Sequence, residues 1–197
     1  MRILPCDEAA LDAAAAVLNA GGVAVIPTDT VYGLAAHPGF PAAVERLYSI
    51  KGRERRKKIA LLAADAAAVE AFGFPLPPAA KELAAKHWPG ALTLVLGEEG
   101  FRVPDHTWTR RLLAACGGVL RVTSANLSGG QPATNAPQAL ADVGLSADLV
   151  VDDGPSAGGV PSTVVRVREE GGIEILRPGA IPLPCSPSNR QPLSSKL

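Results

Sequence analysis

The chain is 197 residues long, with 19 basic and 19 acidic side chains, 47% hydrophobic residues and only 4% aromatic ones. That apolar content excludes a mostly disordered chain, and the length fits one globular domain at roughly 100 to 200 residues per domain. The longest apolar runs, such as Ala13 to Leu18 and Ile59 to Ala64, fall far below the roughly 20 residues that span a bilayer, so no membrane segment is expected.

In chain order, the N-terminus lacks a basic stretch followed by an apolar core, so no signal peptide is expected and the cytoplasm is the expected location. Asp7 caps a predicted helix with Leu11, Ala14, Ala15 and Leu18 on one face, closed by Gly21. Val23 to Ile26 reads as a buried strand, followed by the polar loop Thr28-Asp29-Thr30 before Tyr32-Gly33-Leu34. Pro41 to Ile50 is a helix with proline at its first turn, and Ile59 to Leu62 a second strand. Asp65 to Ala71 and Ala79 to His87 are helices, Ala91 to Leu96 a strand, Phe101 to Val103 a short extended piece and Thr107 to Cys116 a helix capped by Asp105. Leu120 to Thr123 is a strand, Ser124 to Asn135 a long loop, Pro137 to Val143 a helix and Leu149 to Val151 a strand. Val164 to Val167 and Ile173 to Leu176 form a candidate hairpin, and a Pro/Ser-rich tail, expected to be mobile, begins at Pro178. Alternating strands and helices with a terminal hairpin predict an α/β fold with a mixed sheet.

Cys6, Cys116 and Cys185 are an odd number at wide spacings, so a disulfide framework is not expected, and with His37, His87 and His106 they make no zinc-ligand spacing. Between Lys51 and Lys58 six of eight residues are basic, which leaves 13 basic and 18 acidic residues in the rest of the chain. A run of like charge is usually a solvated face, yet its place beside a strand lets Lys51, Arg53 and Lys57 point at a polyphosphate with Arg55 and Arg56 outside. Three polar loops follow directly on apolar strands, at Thr28, Ser124 and Asp152. Ligands of α/β sheets bind beyond the carboxyl ends of strands, so these loops either converge on one crevice or are ordinary turns. Neither G-x-x-x-x-G-K-[ST] nor G-x-G-x-x-G occurs, nor a G-x-S-x-G elbow, which favours chemistry by positioning and charge without an enzyme nucleophile.

Seven stretches taken in order carry a resemblance: Pro27 to Leu34; Lys51-Gly52-Arg53; Trp88-Pro89-Gly90 with the strand after it; Arg102 to His106; Thr123 to Gly129; Pro161 to Val164; and Arg177-Pro178-Gly179. Together they resemble the YrdC-like threonylcarbamoyl-AMP synthases in their short form. The resemblance implies a catalytic domain over 1–179 with a tail over 180–197, and a twisted mixed sheet flanked by helices with a concave, positively charged face. It also implies a nucleotidyltransferase that makes threonylcarbamoyl-AMP and pyrophosphate from L-threonine, bicarbonate and ATP, with Mg2+ carried by the ATP. A downstream transferase then uses that product on tRNAs reading ANN codons.

Carried over residue by residue, Lys51, Arg53 and Lys57 are implied at the phosphates, and Thr30, Tyr32, His106, Ser124 and Ser162 at threonine. Arg102, Asn126, Thr134 and Arg177, with Arg53 and Lys57, are implied at ATP; no protein metal site is implied. Glu54 and Lys58 depart from the family pattern where prolines are common, Leu62 where some members have histidine, and Arg166 where aspartate is common. A nucleic-acid-binding module is the alternative reading of the basic cluster, with weak RNA binding as its mildest form. Zero net charge and few aromatic residues for base stacking argue against it as the main role. Carbamoyl transfer to another acceptor is a third reading, one that would need further domains.

Overall fold

The computed structural model describes residues 2–168 and 172–183. Asp7 begins the first helix as expected: its carboxylate accepts the Ala10 amide at 2.8 Å, and α1 (Glu8–Asn19) buries Leu11, Ala14 and Leu18. Before it lies β1 (Arg2–Pro5), a strand the sequence did not announce, because an exposed edge strand carries no apolar run. β2 (Val23–Ile26) is wholly buried and turns back into β3 (Gly33–Ala36), also wholly buried and likewise unannounced, since Gly and Ala are poor strand formers. The Thr28 loop is therefore the connection of a central hairpin, with Ile26 opposite Gly33.

α2 (Pro41–Lys51) starts on its proline and stops at Gly52, whose φ of 60° is the left-handed conformation glycine adopts at no cost. β4 (Leu61–Ala63), α3 (Ala66–Ala71) and α4 (Pro78–His87) follow, then the antiparallel pair β5 (Leu92–Leu96) and β6 (Glu99–Arg102). α5 (Thr107–Ala115) is capped by His106, not by Asp105: the imidazole Nδ1 accepts the Thr109 amide. β7 (Val119–Ser124), α6 (Ala136–Asp142), β8 (Leu149–Asp152), β9 (Thr163–Val167) and β10 (Ile173–Arg177) complete the order, the last two as the expected antiparallel hairpin.

The ten strands among the described residues join one mixed sheet in the order β1-β8-β2-β3-β7-β4-β6-β5-β9-β10. Helices α1 and α5 cover one face of its first half through Leu11, Leu18, Leu112 and Leu113, while α2 and α6 cover the other through Leu47 and Ala139. In the second half Leu92, Leu94, Leu96, Phe101, Val165 and Val167 enter a third core beneath α3 and α4. The alternate residues of those strands, Thr93, Val95, Gly100, Arg102 and Val164, line a cavity instead, the consequence of a side-chain period of two.

The first residues of the expected mobile tail are anchored on the fold. The Ala180 amide bonds Pro161 O, Thr163 Oγ1 and the Ile181 main chain bond each other, and Ile181 and Leu183 pack on the third core. Residues 184–197, with Cys185, lie outside the described residues.

Candidate active site

The loop between β2 and β3 is shaped by one hydroxyl. Thr28 Oγ1 accepts from the amides of Thr30 (3.2 Å) and Val31 (3.3 Å) and donates to Val31 O at 2.7 Å, which turns Thr30 toward β6. There Arg102 Nη1 donates to Thr30 Oγ1 at 2.8 Å, Nε to Gly90 O at 3.0 Å, and Nη2 pairs with Asp29. Arg102 is only 6% exposed, and burial holds its guanidinium below the usual arginine range, Asp29 opposing that shift and Arg177 adding to it. Opposite, Ser162 Oγ meets Thr93 Oγ1 at 2.8 Å, and Arg177 Nη2 donates to Ser162 O at 2.7 Å. Burial and the neighbouring charge of Arg53 shift Arg177 downward as well.

These groups face one cavity of about 410 Å³, lined also by Tyr32, Arg53, Lys58, Leu62, Glu98 and Ser124. Among the described residues, four basic side chains and a single carboxylate line it. Arg53, just past Gly52, spends Nε on Lys57 O (2.7 Å) and Nη2 on Lys58 O (3.1 Å). Its Nη1, and Nε and Nη1 of Arg177, have no hydrogen-bond partner among the described residues, so these donors are available to a ligand. Clustered cations with free planar donors suit a phosphate or carboxylate. Among the described residues no group of three or more His, Cys, Asp or Glu stands together to hold a metal.

Seven of the residues singled out in the sequence meet at this cavity: Thr30, Tyr32, Arg53, Arg102, Ser124, Ser162 and Arg177. Five do not. Lys51 is buried and spends its ammonium on the main chain of Ser124 and Asn126. Asn126 is buried too, its amide donating to Leu127 O and Gly130 O. Lys57 is exposed with Nζ 3.3 Å from Glu54, and Thr134 Oγ1 is held by Gln138 at 3.0 Å. His106 lines a neighbouring cavity of about 470 Å³ that shares Thr28 and Tyr32 with the first. Because its Nδ1 accepts the Thr109 amide, its ring hydrogen sits on Nε2 and is donated to Asp153 at 2.9 Å.

Tyr32 itself is fully buried; its hydroxyl donates to Gly154 O at 2.7 Å and accepts from the Asp153 amide, and burial raises its pKa to about 12. Sequence reasoning missed Lys58, Thr93, Glu98 and Asp29. Thr93 had a signal, being the polar residue in Leu-Thr-Leu-Val-Leu, whereas Lys58 and Lys57 are indistinguishable in a run of like charges.

Residues 16–179 match the family Sua5/yciO/yrdC, described as "Telomere recombination". The chain belongs to the Sua5/YciO/YrdC family. It is similar to the threonylcarbamoyl-AMP synthase of Bacillus subtilis (strain 168), 36% identical over 183 residues, 85% of this chain and 53% of that protein. The chain thus spans about half the length of that relative. The Mus musculus threonylcarbamoyl-AMP synthase is 36% identical over 190 residues, covering 86% of this chain and 67% of its own. The crystal structure of P. abyssi Sua5 complexed with L-threonine is similar with a TM-score of 0.83 at 29% identity, over 91% of this chain and 58% of that one. E. coli YciO, with a TM-score of 0.79 at 23% identity over 90% and 94% of the two chains, shares the fold. All seven stretches read from the sequence fall inside the span matched to the Sua5/YciO/YrdC family.

Proposed function

We propose that this chain is an L-threonylcarbamoyladenylate synthase, using L-threonine, bicarbonate and ATP. The observation that carries the reading is the convergence of Arg53, Arg102 and Arg177 with Thr30, Ser124 and Ser162 on one cavity that has, among the described residues, a single lining carboxylate. In this reading the threonine amine and bicarbonate condense to a carbamate with loss of water. A carbamate oxygen then attacks the α-phosphorus of ATP, and the α–β bridging bond breaks to release pyrophosphate. No protein nucleophile is consumed, so the protein's task is to hold anions close together and in line. Arg53 and Arg177 supply guanidinium donors to the phosphates through their free nitrogens, while the hydroxyls orient threonine.

Mg2+ in this reading arrives on the phosphates; among the described residues the one lining carboxylate is Glu98, already 2.6 Å from Lys58, which suits a metal held mainly by its nucleotide. The product is a mixed anhydride that serves as donor for a tRNA-modifying transferase, and a cytoplasmic location goes with that use. No helix among the described residues is long and apolar enough to cross a membrane. The test is pyrophosphate release from MgATP with each co-substrate withheld in turn. Release requiring both threonine and bicarbonate is expected; release indifferent to threonine would contradict the reading and point to another acceptor.

A further inference from the structure

Resting on that reading, we infer that Lys51 and Asn126 form a positioning pair that holds the Ser124–Gly130 loop in shape without touching the substrates. Lys51 closes α2, where the helix carbonyls favour a cation, and is 3% exposed. Its ammonium donates to Ser124 O and Asn126 O, and Asn126 Oδ1 stands at 3.5 Å. Two of the three ammonium hydrogens thus go to main-chain carbonyls, and the third has Asn126 Oδ1 within reach. Asn126, 4% exposed, commits both amide hydrogens to the same loop, to Leu127 O at 2.7 Å and Gly130 O at 2.9 Å. The main chain closes the knot from the other side, where the Ser128 amide donates to Lys51 O at 2.8 Å.

The loop begins at Ser124, whose side chain lines the cavity, so a slackened loop displaces a substrate contact. Burial, and then the charge of Arg53, pull the Lys51 pKa down to about 8, with Asp142 opposing them.

Amide hydrogen exchange on the full ligand-free chain tests this directly. Lys51→Met leaves buried acceptors unpaired, and amides over 126–130 should exchange about tenfold faster or more than in the wild type. The double variant Lys51→Met/Asn126→Ala should add little to the single one, because both cut the same network. Unchanged exchange in Lys51→Met would overturn the inference. A readout on the wild type stands even if that variant does not fold: the carbonyl 13C signals of Ser124 and Asn126 should titrate with Lys51, below the ordinary lysine range, and stay in place when MgATP is added. Their loss of the ammonium on addition of MgATP would mean Lys51 moves to the phosphates, and the inference would fall. A protein that released no pyrophosphate but showed these exchange and 13C results would lose the synthase reading and keep the loop clamp.

Discussion

At the scale of single residues, free donors separate the basic side chains better than charge does. Arg53 and Arg177 each keep guanidinium nitrogens unspent at the cavity, whereas Arg55 pairs with Glu45 and Lys57 with Glu54 in the open. Arg53→Ala and Arg177→Ala should each lower the kcat/KM for ATP by about 10- to 100-fold, the worth of a charge-assisted hydrogen bond, with Arg55→Ala and Lys57→Ala within about twofold of wild type. Steady-state kinetics in varied ATP checks this, and equal losses in all four would contradict the assignment.

Arg102 belongs to a different category, being buried on Asp29. Asp29→Asn leaves that guanidinium without its anion and should cost about 3–5 kcal/mol in denaturant unfolding. Cys6 and Cys116 have pKa values pushed up to about 12 and 11, chiefly by burial, so both should resist alkylation at pH 8 in the folded protein and react once it is unfolded. Part of the site is legible in the sequence at this scale, since Thr30 lies in the polar loop that follows β2 and Ser124 ends β7, whereas Ser162 is reached only through the family resemblance. What is not legible is direction: adjacent Lys57 and Lys58 differ only in where the loop turns them, and Lys51 looks like a ligand until its burial is seen.

At the scale of elements, the site depends on strands whose two faces do different work. Phe101 goes into the core and contacts the rings of Phe74 (4.8 Å between centroids) and Phe72 (6.3 Å), while its neighbours Gly100 and Arg102 face the cavity. Phe101→Ala should therefore destabilise by about 3–5 kcal/mol in denaturant unfolding and disturb the cavity floor with it.

The tie between α2 and the start of β2 is electrostatic: Asp148 accepts the Val23 amide at 2.7 Å and pairs with Arg46 at 2.8 Å, which lowers its pKa. A carboxylate depressed in the folded state stabilises above its unfolded pKa and loses that contribution as pH falls through the folded one. The difference in Tm between wild type and Asp148→Asn should be present at neutral pH and vanish in acid; a gap that persisted in acid would contradict the cause given. Helices with caps and periodic faces were readable, Asp7 and Pro41 among them, but β1 and β3 were not. One is an exposed edge and the other a run of Gly and Ala, and both are strands only because a neighbouring strand supplies the hydrogen bonds.

At the scale of the whole molecule, one mixed sheet brings together loops far apart in sequence, so that Thr30, Arg102, Ser162 and Arg177 meet at a single cavity. No local pattern states that convergence; the order of the seven stretches carried it, through resemblance. Charge tells the same story at this scale: a chain neutral overall concentrates Arg53, Lys58, Arg102 and Arg177 on one concavity.

In the proposed reaction this cavity joins a carbamate of threonine to the adenylyl group of ATP. Mass spectrometry of the nucleotide product formed from L-threonine, MgATP and 13C-bicarbonate tests it most directly. A threonine-containing adenylate heavier by one 13C is expected when labelled bicarbonate is used, formed together with pyrophosphate. An adenylate that contains threonine without the label, or AMP alone, would contradict it.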